Sequence, residues 1–183
     1  DNDSHGLMLY FPKKSPIKNF PLNNARDRRF IAMPAYLGGR FHIAGEKWYG
    51  SNGNNKKKGL PRSILMVILN DVDTGAPLAF MSGNLLSSMR TGAMPGLAAK
   101  LLARKDSRVL SIIGPGAINK ACLMCIMANM YQIDTVKIKG SSPTSASAVR
   151  MKEFIESAYP HVKTIEMCET LEDAIRGADI VSE

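Results

Sequence analysis

Residues 109–119 read Val-Leu-Ser-Ile-Ile-Gly-Pro-Gly-Ala-Ile-Asn, and their reading decides the fold. Val109 to Ile113 is a short apolar run suited to a buried strand. Gly114-Pro115-Gly116 turns the chain at once. A helical pattern follows through Ala121, Leu123, Met124 and Met127 to about Tyr131. A strand, a G-x-G-x-x-N turn and a helix come close to the dinucleotide-binding fingerprint. Each piece has a physical reason. Gly114 permits the tight turn, and Gly116 removes the side chain where a pyrophosphate must approach the backbone. The helix N-terminus then offers free N–H groups and a partial positive charge to the anion. The third position of the pattern is usually Gly or Ala, for close packing of helix on strand. Here it is Asn119, a departure that weakens the motif and predicts a slightly displaced helix. Taken alone, the stretch reads equally well as an ordinary strand-to-helix turn.

Toward the C-terminus, strands are expected at Thr135 to Lys139, Val162 to Glu166 and Ala178 to Val181. Helices are expected at Ser145 to Ser157 and Leu171 to Arg176. Strand and helix alternating at short spacing imply parallel strands joined by helical crossovers, and this context strengthens the dinucleotide reading of the turn. An NAD-binding unit usually carries Asp or Glu near the end of its second strand, to hold the ribose 2′-hydroxyl. The stretch Val136-Lys137-Ile138-Lys139-Gly140-Ser141-Ser142-Pro143-Thr144 has no acid. Hydroxyls, a glycine and Lys139 stand there instead. Such groups can donate to a 2′-phosphate that a carboxylate would repel, which favours NADP(H), with NAD as the alternative. A simply polar, solvent-facing loop has the same composition.

Toward the N-terminus, residues 1–29 are polar and poorly periodic and read as a fragmentary edge. Phe30 to Met33 reads as a short strand ended by Pro34. Arg40 to Trp48 alternates with period two, Phe41, Ile43, Gly45 and Lys47 on one side and His42, Ala44, Glu46 and Trp48 on the other. Gly50 to Gly59 reads as a loop. Ser63 to Asn70 is a continuous apolar run, hence a buried strand. Asp71-Val72-Asp73-Thr74-Gly75 reads as a hairpin turn leading into a strand at Pro77 to Met81. Leu85 to Arg104 is helical, with a kink or restart expected at Pro95. The fold class is therefore α/β. A Rossmann-type parallel-sheet domain, incomplete, is expected at residues 105–183. It is preceded at 1–104 by the N-terminal part of a sheet-containing domain, with the 85–104 helix as the joint.

The chain has 183 residues, 45% hydrophobic and 22% charged, as in a folded globular protein. No run of about 18 apolar residues suggests a membrane span, and the N-terminus carries no signal-peptide pattern. Twenty-four Lys and Arg against 16 Asp and Glu give a net charge of +8. The dense cluster Lys56-Lys57-Lys58 lacks the interleaved aromatics of a single-strand platform, so an anionic metabolite or cofactor is favoured over nucleic acid. Three cysteines suit a reducing, cytoplasmic compartment. Cys122-x-x-Cys125 has redox spacing but lies in an apolar helix, where packing is the better reading. His5, His42 and His161 show no metal spacing, and no metal is expected. The eleven methionines read as core filler. Trp48 fits a substrate pocket and a core equally well.

Four further motifs follow one another. They are Gly45-Glu46-Lys47-Trp48-Tyr49-Gly50-Ser51-Asn52, Gly59-Leu60-Pro61, Leu69-Asn70-Asp71 with Thr74-Gly75, and Met89-Arg90-Thr91-Gly92-Ala93. With the glycine turn after them, this order resembles the ornithine cyclodeaminase/mu-crystallin family over about residues 28–183. The stretch Ala32-Met33-Pro34-Ala35-Tyr36 through Lys47-Trp48 is most similar to the opine-type amino-acid dehydrogenase branch. The resemblance implies that Lys47 is a catalytic and substrate-binding lysine and that Arg90 binds the substrate carboxylate. A planar guanidinium suits a bidentate α-carboxylate, and an ammonium adds a second charge-assisted bond. It implies cofactor contacts from Thr91, Gly114, Gly116, the amides of Ala117 and Ile118, and Gly140, Ser141 and Ser142 around the adenosine ribose. Without the resemblance, Lys47 and Arg90 would read as a structural ion pair or a solvated face.

The activity implied is NAD(P)-dependent hydride transfer at the C–N centre of a small amino acid or imine, through an iminium: a dehydrogenase or ketimine reductase. The alternatives are an ornithine cyclodeaminase, converting ornithine to proline and ammonia with recycled cofactor, and a non-catalytic NADPH- or ligand-binding protein. Partners implied are a small amino acid or imine and a second copy of the chain, or a complementary chain. No nucleic acid and no membrane are expected. In the family the catalytic aspartate lies beyond the fourth strand, whereas the sequence ends at Ser182-Glu183, so a fragment or one piece of a split protein is expected.

Overall fold

A computed structural model describes residues 2–4 and 6–183; His5 lies outside the described residues. The chain divides into two compact units, Asp1–Ser87 and Ser88–Glu183.

The first unit is an antiparallel sheet of β1 (Asn2–Ser4), β2 (Leu7–Tyr10), β3 (Arg29–Leu37), β4 (Ile43–Ser51), β5 (Ser63–Asp71) and β6 (Pro77–Ser82), in the order β1-β3-β4-β5-β6 with β2 also on β3. Residues 1–29 thus hold two strands where the sequence suggested none. β3 does not stop at Pro34. On its outer side β1 pairs Ala35 to Leu37 and β2 pairs Arg29 to Ala32, so Pro34 falls between the two partners, where a missing N–H costs least. The expected loop after β4 contains a 3-10 helix, Gly53–Lys58. The Asn52 side chain accepts from the Asn54 amide at its start, and Gly59 ends it with φ 71°. The β5–β6 turn is held by Asp71, whose carboxylate accepts from the amide and hydroxyl of Thr74 at 2.8 and 2.6 Å.

Register places Met33, Lys47, Val67 and Met81 side by side across β3 to β6. Because side chains alternate along a strand, Trp48 projects from the opposite face to Lys47. There it stacks on Phe30, ring centroids 5.5 Å apart and planes at 19°, and Phe11 meets Phe30 edge-on. Trp48 is thus 41% exposed in an aromatic row on the face opposite Lys47, and it is not buried in a core.

The second unit contains β7 (Val109–Ile113), β8 (Thr135–Lys139), β9 (Thr164–Met167) and β10 (Ile180–Ser182), all parallel in the order β10-β7-β8-β9. The crossovers are α2 (Ala117–Asn129), α3 (Ala146–Ala158) and α4 (Leu171–Ile175). Thr170 opens α4 with a reciprocal capping box to Asp173. Leu110, Ile112, Leu123, Ile126, Ile133, Val136, Ile138 and Ile155 are almost wholly buried and form the core. Each such side chain contributes about 1.5–3 kcal/mol.

Helix α1 (Asn84–Leu102) runs unbroken through Pro95, against the expected restart. Its contact with α2 explains this. Gly92 lies against the backbone of Ala121, and Gly96, four residues on, lies against Cys125. These two close approaches bracket Pro95 and hold the helix across the one hydrogen bond that proline removes. Among the described residues, no helix is long and apolar enough to cross a membrane, and no group of His, Cys, Asp and Glu is arranged to hold a metal ion.

Candidate functional site

The glycine turn lies at the carboxyl end of β7. Gly114 has φ 76°, a left-handed conformation that an L side chain would strain. Its amide donates to the Lys139 carbonyl at 2.9 Å, so the end of β8 lies beside the turn. The Gly116 amide donates to the Gly114 carbonyl at 2.7 Å. Gly116 then caps α2 in extended backbone, φ −95° and ψ −176°, with no side chain to satisfy the first-turn amides. Ala117 and Ile118 are exposed, and the first turn of α2 holds no acid. A Cβ placed on Gly116 would meet nothing nearer than the Gly114 carbonyl oxygen, 3.9 Å away. The glycine is therefore not demanded by the fold around it. It leaves space and amide donors open toward one another, which is what an approaching anion requires.

Strand order gives the turn its setting. From β7 the chain moves out through β8 to β9, then returns to place β10 on the other side of β7. Open α/β sheets bind ligands at such a switch point, beyond the carboxyl ends of the strands. Asn119 sits there, 6% exposed. Its Nδ2 donates to the carbonyls of Ile113 and Gly114 at 2.6 and 3.0 Å. Its Oδ1 accepts from Ser182 Oγ at 2.8 Å. The residue that weakens the sequence motif is thus a buried cross-link of the turn. Only its position in the motif signalled it; its partner, 63 residues away, did not.

At the end of β8, Gly140 packs so closely that a Cβ would meet Ser145 Oγ and come within 3.1 Å of Ala148 Cβ. Ser142 and Thr144 bring their hydroxyls to 3.4 Å, and Ser141 is exposed. The Lys139 ammonium bonds the Gly140 carbonyl. Ser145 caps α3, but its buried Oγ finds no partner. The structure therefore brings together Gly114, Gly116, Ala117, Ile118 and the Gly140–Ser142 loop around the ends of β7 and β8.

Arg90 and Thr91 belong to α1, immediately before Gly92, whose packing on Ala121 fixes this turn of helix against α2. Arg90 is exposed and Thr91 half-buried. Lys47 lies in the other unit, half-buried in mid-β4 with Met33 and Val67 as its cross-strand neighbours. The cysteines are free thiols. Burial pushes the Cys122 and Cys168 thiols up, away from the reactive thiolate. Cys125 packs against Gly96, as expected for structural residues.

An antiparallel sheet unit and a parallel α/β unit whose first strand ends in this turn define a Rossmann-type α/β protein. The chain belongs to the ornithine cyclodeaminase/mu-crystallin family, whose pattern matches residues 3–182. It is 33% identical over 171 residues to the N-((2S)-2-amino-2-carboxyethyl)-L-glutamate dehydrogenase of Staphylococcus aureus, covering 93% of this chain and 50% of that one. Among solved structures it is similar to the Δ1-pyrroline-2-carboxylate reductase of Thermococcus litoralis, in complex with NADH and L-proline. There the TM-score is 0.75 at 32% identity, over 84% of this chain and 46% of the other. An archaeal alanine dehydrogenase dimer with bound NAD matches with a TM-score of 0.68 at 30% identity, over 100% and 46%. The chain spans about half the length of these relatives.

Proposed function

We propose that the chain carries the nucleotide-binding turn and part of the substrate site of an NAD(P)-dependent oxidoreductase acting at the C–N centre of a small amino acid or imine. The observation that carries this is the open turn at Gly116: free amides at a helix N-terminus, at the sheet's switch point, with no side chain in the way. The residues present fit a nicotinamide dinucleotide. Ala117 and Ile118 would hold its pyrophosphate by their amides, Thr91 would lie by the phosphates, and Gly140, Ser141 and Ser142 would border the adenosine ribose. When bound, the nicotinamide supplies or takes a hydride. The absence of an acid from residues 135–145 favours NADP(H), with NAD as the alternative. The NADH- and NAD-bound relatives support the dinucleotide class.

Arg90 grips the substrate α-carboxylate through two parallel hydrogen bonds. Lys47 adds a second charge-assisted bond and holds a proton near the reacting nitrogen. Residues 1–104 serve substrate binding and pairing with a second copy or a complementary chain, and residues 105–183 serve the dinucleotide. The paired state of the archaeal relative supports a homodimer. The cysteine usage suits a cytoplasmic location.

The test follows nicotinamide absorbance in the intact polypeptide with L-alanine, L-proline and L-ornithine, and with pyruvate plus amines in the reverse direction. Net oxidation or reduction supports the proposal. Ammonia and proline from ornithine without net change would instead establish cyclodeaminase chemistry, the activity in the family's name. Dinucleotide binding without turnover of any of these would leave only a binding role.

A further inference from the structure

The geometry points to Asn119 as a positioning residue for the dinucleotide, holding the pyrophosphate turn in its binding shape and coupling it to the end of β10. This rests on the dinucleotide reading of the turn and adds to it a residue that the usual Gly or Ala at this place could not replace. Three polar groups meet at Asn119. The carbonyls of Ile113 and Gly114 accept from its Nδ2 at 2.6 and 3.0 Å, and Ser182 Oγ donates to its Oδ1 at 2.8 Å.

The consequence is electrostatic as well as mechanical. A carbonyl oxygen at the mouth of an anion site repels the anion. Asn119 engages both of the carbonyls nearest the turn from beneath, on the protein side. Its amide thereby occupies the acceptors, while the first-turn amides of Ala117 and Ile118, which no side chain of the Gly116 cap satisfies, are left for the anion. Because Gly116 donates to the same Gly114 carbonyl, that oxygen accepts two bonds at once, and the pair fixes the left-handed turn. The Ser182 arm then spans the crevice between β7 and β10, the strands on either side of the switch point. A Gly or Ala at this position can pack, but it removes the donor to the Ile113 carbonyl, leaves the Gly114 carbonyl with the Gly116 amide alone, and takes the acceptor from the Ser182 hydroxyl.

The experiment compares wild type, Asn119→Ala, Asn119→Asp and Ser182→Ala in two measurements. The first is binding of NADH and NADPH by fluorescence titration. The second is hydrogen exchange, without ligand, of the Gly114 and Gly116 amides, which donate to the Lys139 and Gly114 carbonyls. Asn119→Ala is expected to weaken dinucleotide binding at least tenfold and to speed exchange at Gly114 and Gly116, the hydrogen-bonded amides of the turn. Asn119→Asp keeps the Ser182 bond but sets an oxygen against two carbonyls, and is expected to weaken binding further. Ser182→Ala, which keeps both carbonyl bonds, is expected to lose only two- to threefold and remains informative if the Asn119 variants fail to fold. Unchanged exchange with binding within twofold of wild type in Asn119→Ala would overturn the role. Wild-type binding equal to that of Ser182→Ala would remove the coupling to β10. If wild type binds neither dinucleotide, the reading of the turn fails, and the exchange measurement alone still decides whether Asn119 shapes it.

Discussion

At the scale of single residues, the turn separates two demands that glycines meet. Gly114 is required by the backbone, since its φ of 76° lies where L side chains are strained. Gly114→Ala should therefore cost about 1 kcal/mol of stability whatever the function. Gly116 is not required by the backbone or by its neighbours, so Gly116→Ala should leave the melting temperature within about 1 °C of wild type. The added methyl group would stand where the pyrophosphate approaches. Dinucleotide affinity should fall by about tenfold or more, equivalent to about 1.4 kcal/mol. Equal binding by Gly116→Ala and wild type in a titration would show that the anion does not approach this turn. Arg90 makes a complementary case. Arg90→Ala should raise the Michaelis constant for the amino acid far more than the dissociation constant of the cofactor, because the guanidinium is assigned to the carboxylate alone. Similar losses in both would contradict that role.

At the scale of elements, the α1–α2 contact sets two opposing effects against each other. Replacing a helix-interior glycine by alanine gains roughly 1 kcal/mol of helix propensity. At Gly92 the new Cβ would lie 2.5–2.8 Å from the backbone of Ala121 and Cys122, and backbone cannot rotate aside. Overpacking costs about 1–3 kcal/mol, so Gly92→Ala should be net destabilising, lowering the urea midpoint without changing the slope. A higher midpoint would mean that α1 and α2 can part freely. Close contacts of this kind also mark what the sequence made legible. β7, β8, β9 and α2 to α4 were readable because each carries its own apolar period and its own turn residues, Gly114 and Thr170 among them. β1 and β2 were not. Leu7 to Tyr10 are all exposed and become a strand only by pairing with β3, a register no local pattern states. The apolar run of β5 reads as fully buried, yet only Leu65 is, because such a run looks the same whether one face or both are covered. Pro34 misled because its cost depends on which side of β3 lacks a partner. Lys47 and Arg90 carried no local signal at all; only their place in a familiar order of motifs singled them out.

At the scale of the whole molecule, the two ends of the parallel sheet do different work. The carboxyl ends of β7 and β8 carry the glycine turn and the serine loop, while the amino ends carry carboxylate anchors: Asp134, before β8, pairs with Arg108 and Lys163, and a second ties β7 to β10. Asp179, just before β10, accepts from the amides of Arg108 and Val109 at 2.8 and 3.0 Å and pairs with Arg104. Its own amide donates to the Val109 carbonyl at 2.9 Å. β10 is thereby locked to β7 at the end opposite the turn. The Arg108 amide first, then that of Val109, holds the Asp179 carboxyl below the usual carboxylate range, and its side chain is only 17% exposed. The sign of the pH effect follows. The unfolded chain takes up a proton at the ordinary aspartate value of about 3.9, whereas the folded chain resists protonation until lower pH. The stability that Asp179 contributes is thus complete above the unfolded value and is lost as pH falls through the folded one. Asp71 and Asp173 are shifted the same way by their Thr74 and Thr170 partners, but both are solvated and contribute little to the slope. Asp179→Asn should lower stability at neutral pH by roughly 1–2 kcal/mol, through loss of charge-assisted bonds to two amides. Between about pH 5 and pH 3 its melting temperature should fall less steeply than that of wild type. Parallel acid limbs for the two proteins would place the pH-sensitive anchor of the sheet elsewhere than at Asp179.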